Sequence, residues 1–196
     1  MPSPLRFGAA PMLAAAALLA AAGGAADQAT TSPPAEQVAG SCAGAVHREF
    51  DFWVGTWDVR SEDGELLGRN EITRIAHGCG LLENWHGADG GEGMSISTWD
   101  RGLGKWTQRW VGAGSVLWLE GGLDEGRMIL GGVRQTRVGP VQDRITWTPL
   151  AEGRVSQVWE ISADGGKSWR LFFAGYYSAA GDAPTPAAAA RARSGS

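Results

Sequence analysis

The chain has 196 residues, 30 of them Gly and 10 Trp, and its 17 Lys plus Arg against 21 Asp plus Glu give a formal net charge of −4. That length suits one domain, and 43% hydrophobic residues exclude a wholly disordered chain. The acidic balance argues against nucleic acid as a partner, because a phosphate-binding surface needs a basic excess or a basic stripe.

Met1–Ala26 opens with Arg6, continues through the apolar run Pro11–Ala22 and reaches the small residues Gly24 and Ala26, which is the pattern of a secretory signal peptide. The run is shorter than the roughly 20 apolar residues of a membrane anchor, and no later segment spans either, so no transmembrane segment is expected after signal cleavage. The expected location is exported, periplasmic or secreted. An oxidising compartment makes Cys42 and Cys79 a disulfide pair, worth roughly 4 kcal/mol in a chain-entropy account of the loop it closes. The alternatives are a lipid on Cys42 and zinc held by Cys42, His47, His77 and Cys79; neither has closely spaced motif support, and no metal is expected.

Residues 27–46, with Pro33-Pro34 and no apolar period, read as a flexible linker carrying the Cys42 tether, and 179–196 as a disordered tail. Between them, 47–178 shows short polar/apolar alternations broken by Gly and Asp. Ten strands are predicted: Phe52–Arg60, Leu66–Ile75, Leu81–His86, Met94–Trp99, Lys105–Val111, Ser115–Glu120, Arg127–Arg134, Asp143–Thr148, Arg154–Ile161 and Ser168–Tyr177. Turn chemistry separates them at Glu62-Asp63-Gly64, Asp89-Gly90-Gly91, Asp100–Gly104, Gly121-Gly122, Glu152-Gly153 and Asp164-Gly165-Gly166. Successive hairpins make an all-β antiparallel meander, and an up-and-down barrel is the simplest way for it to avoid exposed edges.

Alternation also assigns faces. Trp106, Gln108 and Trp110 should point inward, as should Val155, Gln157, Trp159 and Ile161, with Glu160 outward; Leu81, Glu83 and Trp85 form a comparable triplet that Leu82 blurs. The bland reading of Glu83 is an ion pair with a strand arginine such as Arg109 or Arg144.

Gly55-Thr56-Trp57 in the first strand resembles the calycin superfamily, in which a Gly-x-Trp lays an indole across the closed end of a lipocalin-like barrel. Phe50–Val59, Glu83-x-Trp85, Gly104-Lys105-Trp106-x-Gln108-x-Trp110, Trp147-x-Pro149 and Gln157-x-Trp159-Glu160 together resemble an uncharacterised family of exported bacterial proteins related to lipocalin-like and nitrobindin-like barrels. The resemblance covers most of Phe50–Tyr177; it implies ten strands and an internal cavity, with structural roles for Gly55 and Trp57, and no activity comes with it. Nitrobindin-like barrels hold haem through a histidine. His77 and His86 are the candidates here, but a lone strand histidine is more often solvated, and no cofactor is expected. Ser162–Trp169 fits the Asp-box pattern, which implies a hairpin built by Asp164 and Trp169 rather than glycosidase activity, since no repeated blades accompany it.

No catalytic constellation is evident. Ser95 and Ser97 lack a nucleophile elbow, phosphate-loop and zinc-protease motifs are missing, and Glu83 with Glu160 makes a poor acid/base pair across opposite faces. Three readings remain in play: a barrel binding a small, partly apolar or aromatic molecule through Glu83, Trp85, Trp106, Gln108, Trp110, Gln157 and Trp159; a solid Trp-filled structural or interaction module of the cell envelope; and, less favoured than either, an enzyme whose site no motif reveals. The sequence points to no particular protein partner.

Overall fold

The computed structural model describes residues 42–112 and 114–181. The proposed signal peptide, most of the proposed linker and most of the proposed tail lie outside the described residues.

Ten strands, β1 (Gly55–Arg60), β2 (Leu66–Ile75), β3 (Gly80–Gly87), β4 (Glu92–Asp100), β5 (Lys105–Gly112), β6 (Ser115–Asp124), β7 (Arg127–Thr136), β8 (Gly139–Pro149), β9 (Val155–Ser162) and β10 (Arg170–Ala179), pair antiparallel with their chain neighbours. The first and last then pair with each other, Val59 opposite Tyr177, and close an up-and-down barrel without a free edge. Among the described residues no helix is long and apolar enough to cross a membrane.

Most strand ends differ from the sequence expectation by a residue or two, and β8 starts four residues early, at Gly139 rather than Asp143; three differences have a clear physical reason. The first strand starts at Gly55 rather than Phe52, because Phe50 and Trp53 are both fully buried and a 3₁₀ turn at Asp51–Trp53 drives both rings into the barrel end, which a strand's alternation could not do. Gly121-Gly122 is not a turn. Both glycines lie within β6, where a Cβ on Gly121 would collide with the Ile129 carbonyl of β7; the reversal comes at Glu125-Gly126, both at positive φ. The last strand starts at Arg170 rather than Ser168, because Asp164 accepts the amides of Lys167 and Ser168 at 3.0 and 2.9 Å and holds them in the hairpin. The Asp164 carboxyl is held far below the usual carboxylate range, chiefly by the Ser168 hydroxyl and amide.

One barrel end is plugged by the chain's own N-terminal approach. Phe50 stacks on Trp53 at 4.9 Å between ring centroids and meets Trp106 and Trp147 edge-on at 5.8 and 5.2 Å. Polar pins hold this plug: Trp106 Nε1 donates to Glu49 Oε2 at 3.0 Å, Asp51 pairs with Arg74, and Cys42 is bonded to Cys79 with Cα atoms 5.0 Å apart. The Trp57 indole lies across Gly55, where a Cβ would come within 2.8 Å of Cζ2, and donates from Nε1 to the Trp53 carbonyl at 3.0 Å. Gly55 and Trp57 thus belong to the closed end.

Candidate functional site

Period-two alternation along strands that run from the plugged end to the open end sorts inward side chains into levels. In β3 the sequence is Leu81, Glu83, Trp85; in β5 it is Trp106, Gln108, Trp110; in β9 it is Val155, Gln157, Trp159. The first member of each triplet is packed at the floor, the second forms a polar middle layer, and the third stands at the mouth. Above the floor is a cavity of about 450 Å³. Its polar layer is Glu83, Gln108, Gln157 and Tyr177, its walls include Trp85, Trp110, Trp159 and Phe173, and its rim carries Leu66, Asp89 and Phe172.

Six of the seven residues nominated from sequence line this cavity: Glu83, Trp85, Gln108, Trp110, Gln157 and Trp159. Trp106 does not. It points inward, as expected, but lies one level too low, 1% exposed against the Phe50 ring, and belongs to the plug.

The middle layer holds a chain of hydrogen bonds running from Ser95 through Glu83, Asn70 and Tyr177 to Gln157, with a separate Gln108–Ser97 pair beside it. Ser95 Oγ donates to Glu83 Oε2 at 2.6 Å, and Asn70 Nδ2 donates to Glu83 Oε1 at 2.8 Å and to Tyr177 Oη at 3.3 Å. The Tyr177 hydroxyl in turn donates to Gln157 Oε1, while Gln108 Nε2 donates to Ser97 Oγ at 3.0 Å. Burial pushes the Glu83 carboxyl up to about 7, against the pull of the Asn70 and Ser95 hydrogen bonds. The Tyr177 phenol is likewise pushed far above its usual range by burial and by the Glu83 charge, and stays neutral.

The arginine partner expected for Glu83 is not there. Arg144 instead binds outward-facing Glu160, Nη2 to Oε2 at 2.9 Å, and lies over Trp169 at 4.1 Å, and Arg109 lies over Trp118 at 3.9 Å. The side-chain pattern alternates these arginines to the outer face, and among the described residues the inward Glu83 finds the neutral polar partners Asn70 and Ser95.

Several site residues carried no recognisable motif. Asn70, Ser95 and Ser97 are buried polar residues at inward positions of β2 and β4, and only cross-strand register, Glu83 opposite Ser95 and Gln108 opposite Ser97, makes them partners. Two glycines make room for mouth indoles: a Cβ on Gly68 would come within 2.6 Å of Trp85 Cη2, and one on Gly93 would strike the Trp110 ring. Trp159 is oriented by Asp143, whose Oδ1 accepts from Nε1 at 2.9 Å while its carboxylate binds Arg134 at 2.8 Å.

The histidines stand elsewhere. His77 and His86 are exposed, His86 beside Glu92 at 3.5 Å, and His47 is buried in the N-terminal 3₁₀ turn, so none of the three lines the cavity. Both cysteines are consumed by the disulfide, which removes the Cys/His zinc alternative. No family model matches this chain, and no curated protein matches it.

Proposed function

We propose that the protein is an exported binding barrel that holds a small, partly apolar or aromatic molecule between the indoles at its open end, with the amides of Gln108 and Gln157 fixing its orientation. One observation carries this reading: the same inward alternation that packs the floor solid leaves about 450 Å³ above it, walled by aromatic rings and crossed by polar groups. A purely structural barrel gains nothing from a buried carboxylate and two buried amides, each of which costs stability unless fully paired. Flat indoles offer large contact area at little rotamer entropy, which suits a flat ligand.

Export is supported by the signal-like N-terminus and the Cys42–Cys79 bridge, which persists in oxidising compartments. The resemblance to lipocalin-like and nitrobindin-like barrels agrees with the closed meander and the internal space, and it belongs to the same proposal.

The test is a titration of Trp emission against a library of small aromatic and apolar metabolites. Saturable changes that Trp110→Ala and Trp85→Ala weaken, with the far-ultraviolet spectrum unchanged, are expected. If no compound saturates, the packed structural module is the better account.

A further inference from the structure

The cavity has a sign. Of the described residues that line it, Glu83 and Asp89 carry charge, and both are acidic; no Lys, Arg or His is among them. Arg134 comes near the mouth only through Asp143, which neutralises it. Glu83 sits deep, 5% exposed in the polar layer, with no cation beside it, whereas Asp89 lies at the exposed rim with Oδ1 on the Gly91 amide at 2.9 Å. A buried carboxylate held by one amide and one hydroxyl keeps unused lone pairs on both oxygens. Above it stand the faces and edges of Trp85, Trp110 and Trp159. A carboxylate beneath a cluster of aromatic rings is complementary to a positively charged nitrogen, through Coulomb attraction and through the ring quadrupoles.

We infer that the cavity selects an organic cation: a small apolar or aromatic body bearing a protonated amine or comparable nitrogen cation, with the nitrogen against Glu83 and the body between Trp85, Trp110 and Trp159. This rests on the ligand-binding reading above and narrows its ligand class. An anionic ligand such as a fatty acid meets the opposite situation, because a second carboxylate beside Glu83 forces one of the two to take up a proton. A neutral ligand leaves the Glu83 charge without a counter-charge in a desolvated site.

The polar layer gives this selection a defined pH dependence. The groups facing Glu83 are Asn70 from β2, Ser95 from β4 and, through Asn70, Tyr177 from β10, and of these only Tyr177 titrates, far above neutrality. Glu83 is therefore the one group in this network that changes charge near pH 7. Cation binding should be strong above that pH and fall below it.

Calorimetric titration of the full protein with three matched probes tests the inference: 1-naphthylmethylammonium, 1-naphthylmethanol and 1-naphthoate. At pH 8 the ammonium is expected to bind at least about tenfold more tightly than the alcohol, and the carboxylate most weakly. At pH 5.5 the ammonium's advantage should shrink to about threefold or less, and Glu83→Gln should abolish it at pH 8 while the alcohol still binds. Equal or tighter binding of the alcohol or the carboxylate overturns the inference and leaves the cavity reading standing. Failure of all three to give saturable heats counts against both. Should Glu83→Gln not fold, the wild-type pH series decides alone: an ammonium-to-alcohol affinity ratio unchanged between pH 8 and 5.5 overturns the proposal.

Discussion

The Ser95 hydroxyl donates to Glu83 Oε2 at 2.6 Å, one strand away and directly opposite in register, so the deepest carboxylate of the cavity is tied to β4 as well as to Asn70 of β2. These bonds do not offset its desolvation, and Glu83 is pushed up from 4.5 to about 7. An acid with a raised folded pKa binds more protons folded than unfolded. Glu83 therefore contributes stability in full below about pH 4.5 and loses it as the pH rises through about 7. The loss should approach about 3 kcal/mol by pH 8. Urea unfolding of wild type and Glu83→Gln between pH 4.5 and 8 checks this: the variant's profile should be flatter by that amount, and equal slopes would contradict it.

The mouth glycines should be intolerant of a single methyl group. Neither Gly68 nor Gly93 has positive φ, so alanine is conformationally acceptable at both; the obstacle at Gly93 is the Trp110 indole, and at Gly68 it is the His86 carbonyl of the neighbouring strand at 2.5 Å together with the Trp85 indole at 2.6 Å. Gly93→Ala must displace the Trp110 ring, and Gly68→Ala the Trp85 ring and the His86 carbonyl, at about 1 to 3 kcal/mol each if the barrel resists. Ring displacement reads out as a changed near-ultraviolet dichroism with strands retained. An unaltered near-ultraviolet spectrum would show that the rings do not rest on these glycines.

The two inward tryptophans of β5 should separate fold from binding. Trp106 is 1% exposed, packs on Phe50 and bonds Glu49, so Trp106→Ala should cost about 3 to 5 kcal/mol. Trp110, half-buried at the mouth, should cost less and instead weaken an aromatic probe. Denaturation midpoints and probe titrations on both variants test the split. Equal stability losses would place the two rings in one environment.

Reduction of Cys42–Cys79 should release the plug from the β2–β3 turn. The bridge joins the segment before the 3₁₀ turn at Ala45–Arg48 to the start of β3, and Arg48 Nη2 also holds the Cys42 carbonyl at 2.9 Å. Cys42→Ser/Cys79→Ser is expected to lose up to about 4 kcal/mol, since a loop of this length is constrained in the unfolded state. Mass spectrometry of the native protein should show no thiol available to alkylation.

Most of this architecture was legible because β-alternation and turn chemistry act locally. The levels Glu83/Trp85 and Gln108/Trp110 follow from period two alone once the strands are recognised. What alternation cannot supply is depth along the barrel axis: Trp106 and Trp110 look equivalent in sequence, and only the plug formed by Phe50 and Trp53 assigns one to the floor. Phe52–Trp53 misled for the related reason that a 3₁₀ turn and a strand can both begin with consecutive aromatics. Nothing in the sequence marks Asn70, Ser95 and Ser97 as hydrogen-bond partners of the cavity residues, because that role depends on cross-strand register, which is a property of pairs of segments.

The two glutamines of the polar layer should then respond differently to the same substitution. Gln157 accepts the hydroxyl proton of Tyr177, a residue 1% exposed, so Gln157→Leu strands a buried donor at about 1 to 3 kcal/mol. Gln108 only donates to Ser97, whose hydroxyl keeps its freedom to rotate, so Gln108→Leu should cost less than Gln157→Leu. Stability alone, however, does not show that Gln157 and Tyr177 act as a unit. A double-mutant cycle with Tyr177→Phe isolates that: removing both partners leaves no stranded hydroxyl, and the combined loss should fall short of the sum by about 1 kcal/mol or more. Additive losses would mean that the hydroxyl finds another acceptor, with Glu83, already linked to Tyr177 through Asn70, the neighbour placed to supply one.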